Sequence, residues 1–189
     1  MSSGFLRMFK KTEFRIRKLE ESDSSHVRKW RNQAHVREVM YTDHEITVAE
    51  HEAWIIRALN DNDSCYLILE RNGSPQAFIN FTSIDQKNGK CFWGYYLISP
   101  HNGGGIGSVM AWFSLDWCFR VLGMRKLFCE SLASNRRACS LYRKFGFTRE
   151  AVFRDHVLKD GAPQHVLGFS LLSDEWSRVG GCLAGKLFS

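Results

Sequence analysis

Apolar and polar residues change their spacing along the chain, and this spacing predicts a series of short elements. Phe14–Leu19 alternates apolar and charged residues, which is typical of a strand with one buried face. Asp23 or Ser24 is then placed to cap a helix that turns Val27 and Trp30 toward the core. The N-terminal part is therefore predicted to be a strand followed by a helix.

A second helix and three strands are predicted next. Thr47 and Glu50 have the spacing of a capping box, in which each side chain accepts a hydrogen bond from the other residue's backbone N–H. Three apolar segments then alternate with polar turns, at Cys65–Leu69, Gln76–Ile84 and Cys91–Ser99. Because short connections favour antiparallel pairing, we expect a meander of three strands.

The C-terminal half alternates helices and strands. The predicted helices are Ile106–Leu122 and Asn135–Phe145, and the predicted strands are Lys126–Leu132, Phe147–Val157 and His165–Leu172. A meander followed by such units predicts an α/β fold with a mixed sheet. We place one domain at residues 13–177, between a flexible leader at 1–12 and a flexible, glycine-rich tail at 178–189.

Composition narrows the class of protein. The 189 residues suit one domain, and the net charge of +6 favours anionic partners. Six cysteines without a CxxC pair or a His/Cys cluster predict reduced thiols and no metal site. The sequence has no secretory signal, and none of its apolar segments approaches the length of about 20 residues that a membrane span needs. We therefore expect a cytoplasmic protein.

The most informative segment is Leu97–Ser108, LISPHNGGGIGS, where a strand stops at Pro100 and a helix begins after three glycines. Glycines let the backbone approach an anion closely, and the first N–H groups of a helix have no acceptor within it. With the positive end of the helix, these donors form a phosphate site. The segment is not a P-loop, because no Lys-Ser/Thr follows its last glycine, and it does not match a dinucleotide-binding fingerprint.

Two motifs resemble those of the GNAT N-acetyltransferases. That family has Arg/Gln-x-x-Gly-x-Gly/Ala before this helix, and the chain has N-x-x-G-I-G at Asn102–Gly107, with Asn where Arg or Gln is usual. The family also has Asn at the start of the next helix and Tyr near its end, as in NRRACSLYRKFGF at Asn135–Phe147. The resemblance, which covers residues from about 14 to 176, implies a mixed twisted sheet of about seven strands flanked by helices.

The same resemblance implies acetyl-CoA as the co-substrate. The third meander strand would separate from the strand after the long helix, and pantetheine would fill that gap by pairing with the backbone of Leu97 and Ile98. The pyrophosphate would bind backbone N–H groups of the glycine-rich segment, including that of Ser108. The implied coenzyme-binding residues are Leu97, Ile98, Asn102, Gly103, Gly104, Gly105, Ile106, Gly107, Ser108, Asn135 and Tyr142. Asn135 also fits a second role as a helix N-cap.

Acetyl transfer needs an acid for the leaving thiolate and a base for the attacking amine. The resemblance makes Tyr142 the general acid, although an aromatic residue at helical spacing is also typical of a core. Glu130 is our candidate base, because a carboxylate inside an apolar strand needs a reason to be there. His51, on the capped helix, is the other candidate.

Further segments resemble the bacterial aminosugar N-acetyltransferases of pseudaminic acid synthesis (PseH). They are Trp30–Asn32, Met40–Thr42, His51–Ile55, Trp93–Tyr96 and Lys144–Glu150. That family acetylates the 4-amino group of UDP-4-amino-4,6-dideoxy-N-acetyl-β-L-altrosamine, a sugar used in flagellin glycosylation. The resemblance implies a UDP-aminosugar partner, direct attack in a ternary complex and no nucleic-acid or membrane partner, and it allows a homodimer.

The acceptor site would have a sugar pocket and a diphosphate site. The resemblance puts His51, Thr82 and Tyr96 in the sugar pocket, while Thr82 and Tyr96 also fit as ordinary strand residues. A basic face suits a second diphosphate, and Arg31 and Arg37 are the candidates to bind it, although each also fits as a solvated charge. Tyr41 or Trp30 is the candidate to stack on uracil, and either also fits as a core residue. Two alternatives remain: a ribosomal-protein-type N-terminal acetyltransferase, and a non-catalytic module that binds acetyl-CoA.

Overall fold

The computed structural model describes residues 9–99 and 105–189, which form a seven-stranded sheet with helices on both faces. The strands are β1 Phe14–Lys18, β2 Cys65–Arg71, β3 Ser74–Asp85, β4 Lys90–Leu97, β5 Lys126–Leu132, β6 Thr148–Lys159 and β7 Ala162–Leu172. The helices are α1 Ser24–Arg31, α2 Ala34–Arg37, α3 Val48–Asn60, α4 Ile106–Asp116, α5 Arg136–Lys144 and α6 Ser173–Leu187.

The sheet order is β1-β2-β3-β4-β5-β7-β6, and neighbours are antiparallel except for the parallel pair β4 and β5. That pair is short, because Lys90–Phe92 faces Lys126–Phe128 and the two strands then separate. Beyond this point β4 continues to pair with β3, and β5 continues to pair with β7. The result is a gap in the middle of the sheet, as the family resemblance implies.

Each face of the sheet has its own hydrophobic core. The main core lies under α4, α5 and α6 and contains Trp93, Leu127 and Tyr142. The second core lies under α1, α2 and α3 and contains Val27 and Tyr96. Side chains of adjacent strand residues point to opposite faces, so β4 contributes to both cores.

Several local predictions are confirmed. The capping box of α3 is present, with Thr47 Oγ1 accepting from Glu50 N–H (3.2 Å) and Glu50 Oε2 accepting from Thr47 N–H (2.8 Å). β5 has the predicted bounds, Lys126–Leu132. The long helix predicted to run to Leu122 instead changes at Asp116 to a π-helical turn over Trp117–Val121.

The prediction of a flexible C-terminal tail is wrong. Most of residues 178–189 belongs to α6, which packs on the main core through Leu183 and Leu187, and Phe188 just after the helix joins the same core. Gly180 takes part in this packing, because its carbonyl accepts from Trp112 Nε1 (3.0 Å) and a Cβ there would lie 2.9 Å from the Trp176 ring. The glycines therefore reflect close packing of the helix rather than a loose end.

The predicted leader is anchored where the structure describes it. Phe9 is buried in the main core, its N–H donates to the Leu187 carbonyl (2.8 Å), and its carbonyl accepts from Ser189 N–H (2.9 Å). The two chain ends thus hold each other in place. Residues 1–8 lie outside the described residues.

Candidate active site

The gap between β4 and β5 opens into a cavity of about 1190 Å³ that is lined from both faces of the sheet. On β4, Trp93, Tyr95 and Leu97 pack on the main core, whereas Tyr96 belongs to the second core. The cavity therefore has a main-core side, reached by α4 and α5, and a second-core side, reached by α1, α2 and α3. Two reactants can enter from opposite sides and meet in the gap.

The cavity brings together most of the residues that the sequence singles out. Its lining includes Arg31, Tyr41, His51, Thr82, Tyr96, Leu97, Gly105, Gly107, Ser108, Glu130, Asn135 and Tyr142. Ile98 and Ile106 do not line it. Asn102, Gly103 and Gly104 lie outside the described residues.

The start of α4 supplies backbone donors on the main-core side. Gly105 precedes the helix with a φ of +98°, in the left-handed region that favours glycine. The N–H groups of Ser108 and Val109 both donate to the Gly105 carbonyl (2.9 and 3.0 Å), so the assignment of Ser108 as a free backbone donor is wrong. Ile106 is buried, and only the N–H groups of Ile106 and Gly107, at the first two helical positions, have no acceptor within the helix.

Leu97 and Ile98, at the end of β4, differ in the direction of their backbone groups. Ile98 N–H donates to the Gln76 carbonyl of β3 (2.9 Å). It is therefore not free to pair with pantetheine in the gap, and the prediction for Ile98 is wrong. Adjacent residues of a strand direct these groups to opposite edges. Leu97 therefore presents its backbone to the gap, where its carbonyl lies 3.1 Å from His35 Nε2.

Asn135 caps the start of α5, and Lys144 links the end of α5 to the start of α4. Asn135 Oδ1 accepts from Ala138 N–H (3.1 Å), which confirms its role as the N-cap of α5. Lys144, at the other end of α5, donates from Nζ to Ser108 Oγ (2.8 Å). Burial, together with nearby Lys186, lowers the pKa of Lys144. A lysine thus stands beside the N-terminus of α4, where an anion would bind.

Tyr142 lies on the main-core side and is buried among aromatic rings. Its ring centroid is 5.9 Å from that of Trp93 and 5.0 Å from that of Phe169. Burial raises the pKa of Tyr142 well above its ordinary value, and contacts with Tyr95 and Cys129 add to the rise. The phenol is therefore protonated at neutral pH, as a general acid must be.

Glu130 lies on the second-core side, facing the cavity rather than open solvent. Its neighbour on that face, Phe128, packs edge-on against Phe92 of β4 (5.4 Å between centroids). Glu130 Oε2 accepts a hydrogen bond from the Tyr41 hydroxyl (2.7 Å). Burial raises the pKa of Tyr41 and the Glu130 carboxylate raises it further, so the hydroxyl stays protonated. The structure therefore brings the candidate base, Glu130, into contact with Tyr41, a candidate residue for binding the acetyl acceptor.

Arg31 and His51 are two further ionisable residues on the second-core side of the cavity. Arg31 Nη1 and His51 Nε2 are both buried without a hydrogen-bond partner among residues 9–99 and 105–189. Burial lowers the pKa of Arg31, and the neighbouring Arg37 lowers it further. Burial also lowers the pKa of His51, so its imidazole is mainly neutral at pH 7.

Tyr96 and Thr82 form part of the cavity wall. The Tyr96 hydroxyl donates to the Val27 carbonyl (3.4 Å), and its ring stacks on Phe78 with 5.0 Å between centroids. Burial raises the pKa of Tyr96. Tyr96 therefore packs in the second core. Thr82 pairs with Phe92 of β4, at the last position before the β3–β4 register shifts.

Comparison with known proteins decides the family. Residues 13–148 match the family described as the acetyltransferase (GNAT) domain, which is more than half of the chain. The chain belongs to the GNAT acetyltransferase family. Its fold is the GNAT fold, with the mixed seven-stranded sheet that the resemblance implies.

The solved structures and curated relatives agree with this family. A Vibrio cholerae spermidine N-acetyltransferase, solved with CoA and spermine, has a TM-score of 0.81 at 18% identity, covering 88% of this chain and 99% of that one. Spermidine N(1)-acetyltransferase of Escherichia coli K12 is 19% identical over 86% of this chain and 87% of its own length. YdaF of Bacillus subtilis, whose name describes it as a proposed ribosomal N-acetyltransferase, is 25% identical over 56% of this chain and 57% of its own length.

These findings establish an acetyl-CoA-dependent N-acetyltransferase, with acetyl-CoA as co-substrate. The names of the relatives support acetyl transfer to an amine and do not support a nucleotide-sugar acceptor. Within the described part of the chain, no three His, Cys, Asp or Glu side chains are grouped as metal ligands. No helix in that part is long and apolar enough to cross a membrane.

Sequence reasoning missed two residues of the GNAT site. His35 reaches the Leu97 carbonyl from α2, and no motif marked it in the sequence. Tyr95 contacts Tyr142 on the main-core side, with ring centroids 6.4 Å apart. The alternation along β4 could have identified Tyr95, because Tyr95 and Trp93 share the face opposite Tyr96.

Proposed function

We propose that the enzyme transfers the acetyl group of acetyl-CoA to the 4-amino group of a UDP-amino-dideoxysugar, as in pseudaminic acid synthesis for flagellin glycosylation. The observation that carries this proposal is Arg31 on the second-core side of the cavity, whose Nη1 is buried without a hydrogen-bond partner among the described residues. An acceptor with a diphosphate supplies the negative charge that this side chain needs. Aromatic side chains around it, including Tyr41, suit a nucleoside.

Arg31 is only partly buried, but its Nη1 is enclosed by the protein. A partly desolvated cation favours an anionic ligand over a cationic one. Among the described residues no carboxylate forms an ion pair with Arg31, and the like charge of Arg37 contributes to lowering its pKa. A polyamine would add positive charge here, whereas a diphosphate would bring the opposite charge to the Arg31 guanidinium.

The chemistry is direct attack in a ternary complex. The neutral amine attacks the thioester carbonyl carbon from the second-core side, the C–N bond forms, and Glu130 accepts the amine proton. The C–S bond then breaks, and Tyr142 gives its proton to the departing thiolate on the main-core side. Burial raises the pKa of the Cys129 thiol beside Tyr142, which makes it a poor nucleophile and favours direct transfer over an acetylated cysteine.

The coenzyme half of the proposal uses backbone donors. The N–H groups of Ile106 and Gly107 at the start of α4 would bind the pyrophosphate, with Lys144 beside them. Pantetheine would lie in the gap along the Leu97 backbone. A preorganised backbone N–H of β4 would stabilise the oxyanion, which is worth about 3–4 kcal/mol in favourable cases.

A polyamine acceptor is the second candidate. Three glutamates, Glu38, Glu50 and Glu130, line the cavity, and carboxylates suit a polycation. Glu50 is already engaged, because it closes the α3 capping box and bonds His44 Nε2 (3.0 Å). Tyr41 engages Glu130 in the same way. These contacts occupy carboxylate oxygens of Glu50 and Glu130, so fewer oxygens are free to accept hydrogen bonds from a polyamine.

The test is a thiol-release assay with the purified protein and three acceptors: the UDP-4-amino-dideoxysugar, spermidine and a ribosomal N-terminal peptide. We expect the nucleotide sugar to have the highest kcat/KM, by at least 100-fold. Preference for spermidine or the peptide would contradict the proposed acceptor. Coenzyme binding without transfer to any amine would favour a binding module.

A variant pair tests the role of Arg31. Arg31→Gln should raise the KM of the nucleotide sugar about tenfold or more and leave the KM of acetyl-CoA unchanged, because it removes a diphosphate contact. The matched control is Arg178→Gln, which removes an exposed guanidinium from α6. Unchanged kinetics of Arg31→Gln would exclude this residue from acceptor binding.

A further inference from the structure

The loop between α2 and α3 carries Tyr41 over the second-core side of the cavity. Tyr41 reaches Glu130 on β5 through a single hydrogen bond of 2.7 Å between side chains that are far apart in the sequence. Tyr41 is 41% exposed, so burial alone does not hold it. Its position depends on what fixes the loop.

The tip of the β6–β7 hairpin supplies that fixation. Lys159, the last residue of β6, donates from Nζ to the Arg37 carbonyl (2.9 Å) and to the Met40 carbonyl (3.1 Å). The Arg37 carbonyl is at the C-terminus of α2, where a cation is also favoured by the helix dipole. One ammonium group therefore links the end of the helix to the residue before Tyr41.

A second contact from the same hairpin holds the other side of the loop. Asp160 N–H donates to Asp43 Oδ2 (3.3 Å), and this bond, with Lys159 nearby, lowers the pKa of Asp43. The hairpin turn is tight, with φ of +50° at Asp160 and +76° at Gly161, and Lys159 pairs with Ala162 across it. The donors therefore come from a rigid turn, and they contact the loop on both sides of Tyr41.

We propose that Lys159 is a positioning residue that holds the Tyr41 loop and thereby the Tyr41–Glu130 hydrogen bond over the acceptor. The ammonium group donates to the Met40 carbonyl, and it is a second donor to the Arg37 carbonyl, which also accepts from Met40 N–H (3.2 Å). When it is lost, the loop moves away from β5, Tyr41 leaves Glu130, and the acceptor loses an aligned wall. The coenzyme side, built on α4 and α5, is unaffected.

This inference rests on the proposed roles of Tyr41 and Glu130, but not on the identity of the acceptor. The kinetic test uses the UDP-4-amino-dideoxysugar, or spermidine if the nucleotide sugar is not acetylated. Failure of the proposed acceptor therefore leaves the role of Lys159 measurable. Hydrogen–deuterium exchange of residues 38–43 in the protein without substrates gives a second readout that needs no acceptor.

Lys159→Met should raise the KM of the acceptor about tenfold, leave the KM of acetyl-CoA unchanged and speed exchange in residues 38–43. Lys159→Arg should restore most of the loss, because a guanidinium can donate to both carbonyls. Lys87→Met is the matched control, since it removes an exposed lysine from another hairpin turn, between β3 and β4. It should match the wild type in both readouts.

A double-mutant cycle separates positioning from a general loss of packing. If Lys159 acts through Tyr41, then Lys159→Met combined with Tyr41→Phe should be no worse than the more damaging single variant. Effects that multiply would overturn the proposal. So would a Lys159→Met protein with wild-type acceptor KM and unchanged exchange in the loop.

Discussion

At the scale of single residues, Tyr142 and Glu130 divide the proton transfers between the two faces of the sheet. Tyr142 is enclosed by rings on the main-core side, which raises its pKa, and Glu130 faces the cavity on the other side with Tyr41 as its donor. Alternation along β5 sets this arrangement, because Cys129 contacts Tyr142 and the next residue points the opposite way. Each role can be removed by deleting one functional group.

Tyr142→Phe should lower kcat by about 100-fold or more and change the affinity for acetyl-CoA less than threefold. The general acid is lost while the ring that packs on Trp93 and Phe147 remains, and general acid catalysis contributes about 10²–10⁴-fold. Steady-state kinetics and calorimetry with coenzyme A provide the two values. Equal kcat in both proteins would remove Tyr142 from the chemistry.

His51 should make the protein less stable in acid. Burial lowers the pKa of His51 in the folded state, and a hydrogen bond with the Ser24 backbone only partly offsets this decrease. The unfolded state therefore binds the proton more readily than the folded state. Stability is then full above the unfolded pKa of about 6.5 and falls as the pH decreases toward the folded pKa.

Urea unfolding at pH 8 and at pH 5 tests this effect. His51→Gln should lose less unfolding free energy between the two pH values than the wild type, because glutamine does not titrate. His156→Gln, which changes an exposed histidine, should retain the wild-type difference. An equal loss in the His51→Gln protein would show that the pH dependence comes from elsewhere.

At the scale of elements, the start of α4 determines how the coenzyme can approach. A Cβ at Gly105 would lie 3.3 Å from Phe9 Cε2 and would need an unfavourable positive φ. A Cβ at Gly107 would lie 3.7 Å from Leu97 Cδ1, an ordinary contact. Substitution at Gly107 therefore perturbs the coenzyme surface without the backbone strain expected at Gly105.

Gly107→Val should weaken coenzyme A binding at least tenfold and leave the Tm within about 3 °C. The branched side chain would occupy space beside the first free N–H groups of the helix. Gly181→Val is the matched control, because this helical glycine of α6 has open space around it. Normal affinity of the Gly107→Val protein in calorimetry would contradict the assignment of this helix start.

Helix α6 shows where sequence reasoning on elements was insufficient. Three glycines in residues 180–185 lower helix propensity and suggested a loose end. Tertiary packing overrides that propensity, since the Trp176 ring occupies the space that a Cβ of Gly180 would fill and Trp112 donates to the Gly180 carbonyl. Regular elements such as β5, whose pattern agrees with its packing, could be predicted with their bounds.

Leu187→Ala should lower the free energy of unfolding by about 2–5 kcal/mol, as expected for a leucine that is 1% exposed. The control Leu158→Ala changes a leucine that is 70% exposed and should cost less than about 0.5 kcal/mol. Urea denaturation compares the two. Equal stability of both variants would contradict a packed α6.

At the scale of the whole molecule, the site is a property of the sheet rather than of one motif. The glycine segment and the Asn–Tyr helix were visible in the sequence, and the gap between β4 and β5 was expected from the family resemblance alone. The contact of Tyr41 with Glu130 joins residues 89 positions apart, which no local pattern predicts. A cytoplasmic location and a homodimer stay predictions.

A crystal structure of the enzyme with coenzyme A and the unreacted UDP-4-amino-dideoxysugar tests the two-sided site most directly. The account predicts the pyrophosphate of coenzyme A at the start of α4, its sulfur near Tyr142, and the sugar amine on the Glu130 side of the gap. Coenzyme A bound away from the gap, or both ligands entering from one face of the sheet, would contradict it.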